Sequence, residues 1–210
     1  MSQIFDFFLE AYRETPTYLI VLEAIAFVFG ILSVYYAKKE NILVYPTGLV
    51  ATIITVFLLY KAHYFGDMMM NVYYSAMSIY GWYNWARVKN QEHIIKISRT
   101  NTKEKLIGFG MFLLTMLVTY LVYKGFGYEL EKANYIDIFT SGLFFTAMWY
   151  MANKKLENWT LWIFADVITV PLYAYRGLGM LSLQYLIFTI LAIQGYIEWK
   201  KRLNNSLQTA

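Results

Sequence analysis

The sequence predicts an all-α integral membrane protein: seven transmembrane helices in a 3+1+3 arrangement of parallel repeats. Three observations carry that prediction. Charged residues are only 15% of the chain and aliphatic plus aromatic residues 59%, with a mean hydropathy of +0.40. A soluble domain carries about 25% charged residues, so lipid is the solvent that suits this chain. Seven apolar stretches are each near the ~20 residues needed to cross about 30 Å of hydrocarbon. Finally, short motifs of the first three stretches recur in the last three.

Residues 1–17 contain Ile4, Phe5, Phe7, Phe8 and Leu9 but are too short to span, which predicts an interfacial segment. They lack a basic stretch ahead of an apolar core and carry Asp6 and Glu10, so no cleavable signal peptide is expected. The spans are expected at 18–37, 43–61, 67–86, 105–124, 135–152, 158–176 and 179–199. Stretches 43–60, 68–86, 106–123 and 177–197 hold no charge at all, and the segments are too long for barrel strands. The loops after spans one, three and five, with the tail, hold 13 of the 18 Lys and Arg residues. By the positive-inside bias the N-terminus lies outside and the C-terminus in the cytoplasm.

The repeat is read from paired signatures. Lys38-Lys39-Glu40-Asn41 resembles Lys154-Lys155-Leu156-Glu157-Asn158, and Gly81-x-x-x-Trp85-x-Arg87 resembles Gly195-x-x-x-Trp199-x-Lys201. The offset is 117 residues from Asn41 to Asn158 but 114 from Gly81 to Gly195, from Glu23 to Asp137 and from Tyr36 to Tyr150. This alignment sets Leu49 against Asp166 and Tyr45 against Trp162. A unit of three helices is odd, so a second copy keeps its direction only if a linker helix intervenes, and 105–124 matches nothing in the repeat. The organisation expected is therefore an interfacial segment (1–17), a first three-helix repeat (18–86), a basic loop with linker helix (87–134), a second repeat (135–202) and a tail (203–210). Parallel repeats of this kind place the substrate near the midplane between the halves.

Glu23, Asp137 and Asp166 are the only acids well inside a span. Burying a charge there costs at least about 2.5–3.5 kcal/mol, which makes each a candidate for function. Glu23 and Asp137 occur in both halves and read as scaffold. Asp166 occurs in one half, mid-span, and shares a face at three- and four-residue spacing with Trp159, Trp162, Thr169 and Tyr173. Tyr45 is the aromatic among the matching positions of the second span, Ile42, Tyr45, Leu49, Thr52 and Val56. Asn71, Tyr74 and Ser78 form a polar stripe in the third span, whose Trp82 and Trp85 read as belt residues, and Gln184 and Gln194 are the amides of the last. Aromatic faces beside a carboxylate suit a flat, cationic or hydrogen-bonding ligand.

No metal-binding His-Glu helix, nucleophile elbow or phosphate-cradling Lys-Ser/Thr loop occurs, and His63 and His93 fall in loops. The chain is therefore not expected to be an enzyme, to hold a cofactor or metal, or to bind nucleic acid, since its basic residues lie in loops and form no stripe. It has no cysteine, hence neither disulfides nor thiolate ligands.

Gly66-Asp67, Asn71, Tyr74 and Tyr80-Gly81-Trp82-Tyr83-Asn84-Trp85 resemble the third-helix signature of the PnuC vitamin transporters. Asn158-Trp159-x-x-Trp162-Ile163-x-x-Asp166, Leu172-Tyr173, Gly177-Leu178 and Gly195-x-x-x-Trp199 resemble that family's second-half signature. The resemblance implies a SWEET-like fold and a bacterial inner-membrane protein that takes up nicotinamide riboside by facilitated diffusion. A cytoplasmic vitamin kinase would trap the product, and a homo-oligomer is expected. It also implies that Trp162 stacks on the pyridinium and that Asp166 touches the polar part of the ligand. Thiamine by the same route and proton-coupled vitamin symport are the alternatives.

Overall fold

The computed structural model describes residues 13, 15–61, 65–89, 92–93, 95–125, 130–175 and 178–208. Seven long helices fill most of that length: α1 (Thr17–Lys38), α2 (Val44–Lys61), α3 (Phe65–Ala86), α4 (Thr102–Gly125), α5 (Lys132–Ala152), α6 (Glu157–Tyr175) and α7 (Gly179–Gln208). Two short strands, β1 (Val88–Lys89) and β2 (Glu92–His93), pair antiparallel between α3 and α4, so His93 lies in a strand. The expected spans match these helices closely. The segment expected as a tail continues α7 as helix through Gln208. Of the expected interfacial segment, only 13 and 15–17 lie within the described residues.

Among the described residues, α1, α2, α4 and α7 are long and apolar enough to cross a membrane by themselves. Helices α3, α5 and α6 are long enough but too polar, and the reason is where they sit. Ser78 of α3, Thr140 and Thr146 of α5, and Asn158, Asp166 and Thr169 of α6 are buried against protein. A helix surrounded by other helices does not need a fully apolar surface.

The main helix contacts run α1–α2–α3–α5–α6–α7 and back to α1, a closed six-helix ring. Helix α4 lies outside it against α5, with slight contact to α3. Tyr150 Oη donates to the Glu104 carbonyl, Thr146 Oγ1 to the Gly108 carbonyl and Tyr123 Oη to Asp137 Oδ2 (3.2 Å each within 0.1 Å). Asp137, read as scaffold, thus holds α4 to α5. Gly142 is obligatory for that contact, because a Cβ there would lie 2.7 Å from the Phe112 side chain.

The turns after α1 and α5 have the same backbone. Each ends with a 6→1 bond (Asn41 N to Tyr36 O, Lys155 N to Tyr150 O, both 2.9 Å) and an inner bond (Glu40 N to Ala37 O, Lys154 N to Met151 O, both 3.0 Å). This is the Schellman pattern, whose left-handed residue is usually glycine. Here it is Glu40 (φ 56°) and Lys154 (φ 51°), at a cost of about 1–2 kcal/mol each for carrying a Cβ.

Every one of these pairs is separated by 114 residues, and so are further contacts at this turn end of the bundle. Trp85 Nε1 donates to the Met151 carbonyl (3.3 Å), and Trp199 Nε1 to the Ala37 carbonyl (3.0 Å). Tyr45 meets Trp85 edge-on (5.1 Å, 85°), as Trp159 meets Trp199 (5.5 Å, 89°). Gly81 and Gly195 make room for these rings: a Cβ would fall 2.4 Å from Tyr45 and 2.7 Å from Trp159. The structure therefore corrects the sequence register at the α1–α2 turn. Asn41 corresponds to Lys155 and not to Asn158, and the offset is 114 throughout. Accordingly Tyr45 corresponds to Trp159, Gly48 to Trp162 and Thr52 to Asp166. The Lys-Lys dyads had suggested a slip of three residues that the backbone does not contain.

Candidate functional site

Helix α6 presents Trp159, Trp162, Asp166, Thr169 and Tyr173 along one face, and three of these are essentially sealed: Trp159 (1% exposed), Asp166 (2%) and Thr169 (2%). Thr169 spends its hydroxyl on its own helix, donating to the Ala165 carbonyl (2.8 Å). Asp166 differs, because its Oδ1 is buried and has no hydrogen-bond partner. A buried polar atom left unpaired costs free energy that a ligand donor or cation would recover. Pro171 lies inside α6 one turn further on. With no N–H, it frees the Val167 carbonyl beside Asp166 from its usual helical bond.

The shell around this face is aromatic. Trp162 lies 5.5 Å from Phe144 of α5, Phe144 lies 5.8 Å from Tyr185 of α7, and Tyr185 lies 5.2 Å from Tyr173. Trp162, Tyr185 and Tyr74 of α3 all pack on the cluster of Leu143, Phe144 and Ala165. Tyr74 thus brings the first half of the chain to the second-half site. Beside it, Tyr73 stacks face to face on Phe145 (3.6 Å, 7°) and donates to the Phe145 carbonyl.

The remaining expected residues lie elsewhere around the ring. Tyr45 and Trp159 belong to the aromatic group at the turn end, with Trp85 and Trp199, and both leave a buried polar atom unpaired: Tyr45 Oη and Trp159 Nε1. Trp85, expected as a belt residue, is 2% exposed and forms part of that interior group. Ser78 is buried near Gly48, where a Cβ would lie 3.7 Å from Ser78 Oγ and 2.9 Å from Ser33 Oγ. Asn71 is half-buried, and its carbonyl accepts from Ser75 Oγ (2.9 Å). Gln194 is exposed and accepts from Lys38 Nζ (2.8 Å) at the α1–α7 contact, whereas Gln184 packs against Gly30 of α1. The sequence reading passed over Phe144 and Tyr185. The constant offset of 114 would have flagged both, because it sets Phe144 against Gly30 and Tyr185 against Asn71. Among the described residues no cluster of His, Cys, Asp or Glu could hold a metal.

Asp166 thus carries a buried, unpartnered carboxylate oxygen on a helix of the six-helix ring, next to a run of ring contacts through Trp162, Phe144, Tyr185 and Tyr173. A sequence profile of the nicotinamide mononucleotide transporter family matches residues 20–201. The chain belongs to this family. It is a multi-pass membrane transporter and not an enzyme. The nicotinamide riboside transporter PnuC of Escherichia coli is 26% identical over 201 residues, covering 85% of this chain and 84% of that one. PnuC of Neisseria mucosa is also 26% identical, covering 86% and 72%. The riboflavin/roseoflavin transporter RibM of Streptomyces davaonensis is 20% identical, covering 90% and 89%. The crystal structure of a vitamin B3 transporter PnuC superimposes with a TM-score of 0.69 at 23% identity, covering 88% and 82%, and establishes the common fold.

Proposed function

We propose that this transporter takes up nicotinamide riboside across the bacterial inner membrane by facilitated diffusion, and that a cytoplasmic vitamin kinase traps the product by phosphorylation. The observation that carries the reading is the unpartnered, buried Oδ1 of Asp166 one helical turn from Trp162. Nicotinamide riboside offers a flat pyridinium for the Trp162 face and hydroxyl donors or positive charge for the carboxylate. The PnuC relatives named for this vitamin support the choice. Thiamine, another flat cation, is the second substrate reading, and RibM brings riboflavin into the comparison.

The helix order and the constant offset of 114 support a 3+1+3 design: α1–α3 and α5–α7 as parallel repeats, α4 as the linker restoring direction, the ligand between them. On this reading the turn end, with 13 of the 18 basic residues on its side, faces the cytoplasm. The functional unit is a homo-oligomer in the lipid bilayer.

Calorimetry of the purified protein with nicotinamide riboside, thiamine and riboflavin tests the substrate, with nicotinamide riboside expected to bind tightest. Uptake into proteoliposomes under several imposed pH gradients tests the mechanism. Equilibration without accumulation is expected, and gradient-driven accumulation would establish symport through the buried acid instead.

A further inference from the structure

The two left-handed turn residues, Glu40 and Lys154, meet each other. Lys154 Nζ lies 2.7 Å from Glu40 Oε1, and the lysine is 4% exposed with its ammonium 4.7 Å from the Trp85 ring centre. Glycine would satisfy the backbone at both positions, but it could not make the contact these two side chains make. What they do is join the end of α1 to the end of α5, one position from each half of the chain. Just inside the pair the rings of Tyr45, Trp85, Trp199 and Trp159 run in contact from α2 to α6 and fill the turn end.

We propose that the Glu40–Lys154 ion pair is the latch of a gate at the turn end, closed in this structure, which must break for the ligand to pass the aromatic group beneath it. The proposal rests on the reading that the ligand travels between the two halves. Three features suit a reversible latch better than a permanent weld. Glu40 keeps access to water, with 22% of its side chain exposed. Glu40 also has a second partner ready, Arg202 of α7 at 3.2 Å, so its charge stays compensated when Lys154 leaves. The hydrogen bonds from Asn84, Trp85 and Trp199 to the same two turns go to backbone carbonyls at 3.0–3.5 Å, contacts that can slide as the turns separate.

The chain has no cysteine, so engineered thiols report cleanly. Glu40→Cys with Lys154→Cys, joined by a short bis-thiosulfonate crosslinker in proteoliposomes, should lose nicotinamide riboside uptake at least tenfold, keep binding, and recover on reduction. Unchanged uptake with the crosslink fully formed would overturn the latch. A readout without ligand is maleimide labelling of Ala152→Cys, at a fully buried position beside the latch, compared with Ala26→Cys further along α1. Adding Glu40→Gln should speed labelling at 152 about tenfold and leave 26 unchanged. Equal acceleration at both sites means general loosening and also overturns the proposal. A wild-type protein that binds no nicotinamide riboside overturns the substrate reading, and the labelling ratio then decides the latch by itself.

Discussion

Segments 17–86 and 131–200 agree at one end and disagree in the middle. At the turn end the same hydrogen bonds, ring contacts and glycine–aromatic contacts recur 114 residues apart. One to three turns deeper the correspondence fails in a consistent direction. The first segment has Gly30, Gly48, Thr52 and Asn71 where the second has Phe144, Trp162, Asp166 and Tyr185. Thr52 is satisfied by Ser75 Oγ at 2.8 Å, while Asp166 Oδ1 has no partner. The repeated contacts are the kind that hold helices together, and the unrepeated ones concentrate large aromatic faces and an unpaired acid. Such a difference gives the two sides different groups to offer an asymmetric ligand, where two identical walls would offer the same groups twice.

Breaking the unrepeated side should have the largest effect. Trp162→Ala is expected to weaken nicotinamide riboside binding about 10–100-fold, the loss of roughly 1–3 kcal/mol of stacking, with the protein still folded by thermal melt. Affinity that survives unchanged in calorimetry would move the pocket elsewhere. Next come the repeated glycines. Gly81→Ala and Gly195→Ala each force a Cβ into an aromatic ring, and overpacking of this kind costs about 1–3 kcal/mol. The two falls in Tm should be similar, and a large gap between them would break the equivalence of Tyr45 and Trp159. Asp166→Asn should weaken a cationic ligand about tenfold, or 1.4 kcal/mol, and a neutral isostere less. Equal losses would make the acid a scaffold. The smallest effect is expected from Trp85→Phe and Trp199→Phe, each losing one indole hydrogen bond worth about 1 kcal/mol, measured by thermal unfolding in detergent.

Helix number and boundaries were legible because lipid imposes a composition on any segment that crosses it. The ends of α1 and α6 fall within a residue of the sequence expectation. The register of the repeat was less legible. The Lys38-Lys39 and Lys154-Lys155 dyads look alike, yet the backbone sets Lys154 opposite Glu40, and nothing in a Glu or a Lys announces a left-handed turn that glycine usually occupies. Trp162 and Asp166 stood out because an acid in an apolar run is costly and conspicuous. Phe144 and Tyr185 did not, since an aromatic in a transmembrane helix is ordinary until its neighbours are known. Tyr45 and Trp159 shared a pattern with the pocket residues, but packing against Gly81 and Gly195 draws them to the turn end.

The Glu40–Lys154 pair also bears on why one chain carries both halves. In two separate identical chains related by a two-fold axis, a residue near the axis faces its own copy. Position 40 would then set glutamate against glutamate, or lysine against lysine, and repel. Connecting the halves through α4 lets the two positions diverge in sign, so that a point of self-repulsion becomes one of attraction. The same freedom lets position 48 be a glycine where position 162 is a tryptophan. The peripheral helix thus stands outside the six-helix ring, and makes it possible for the two halves of that ring to differ.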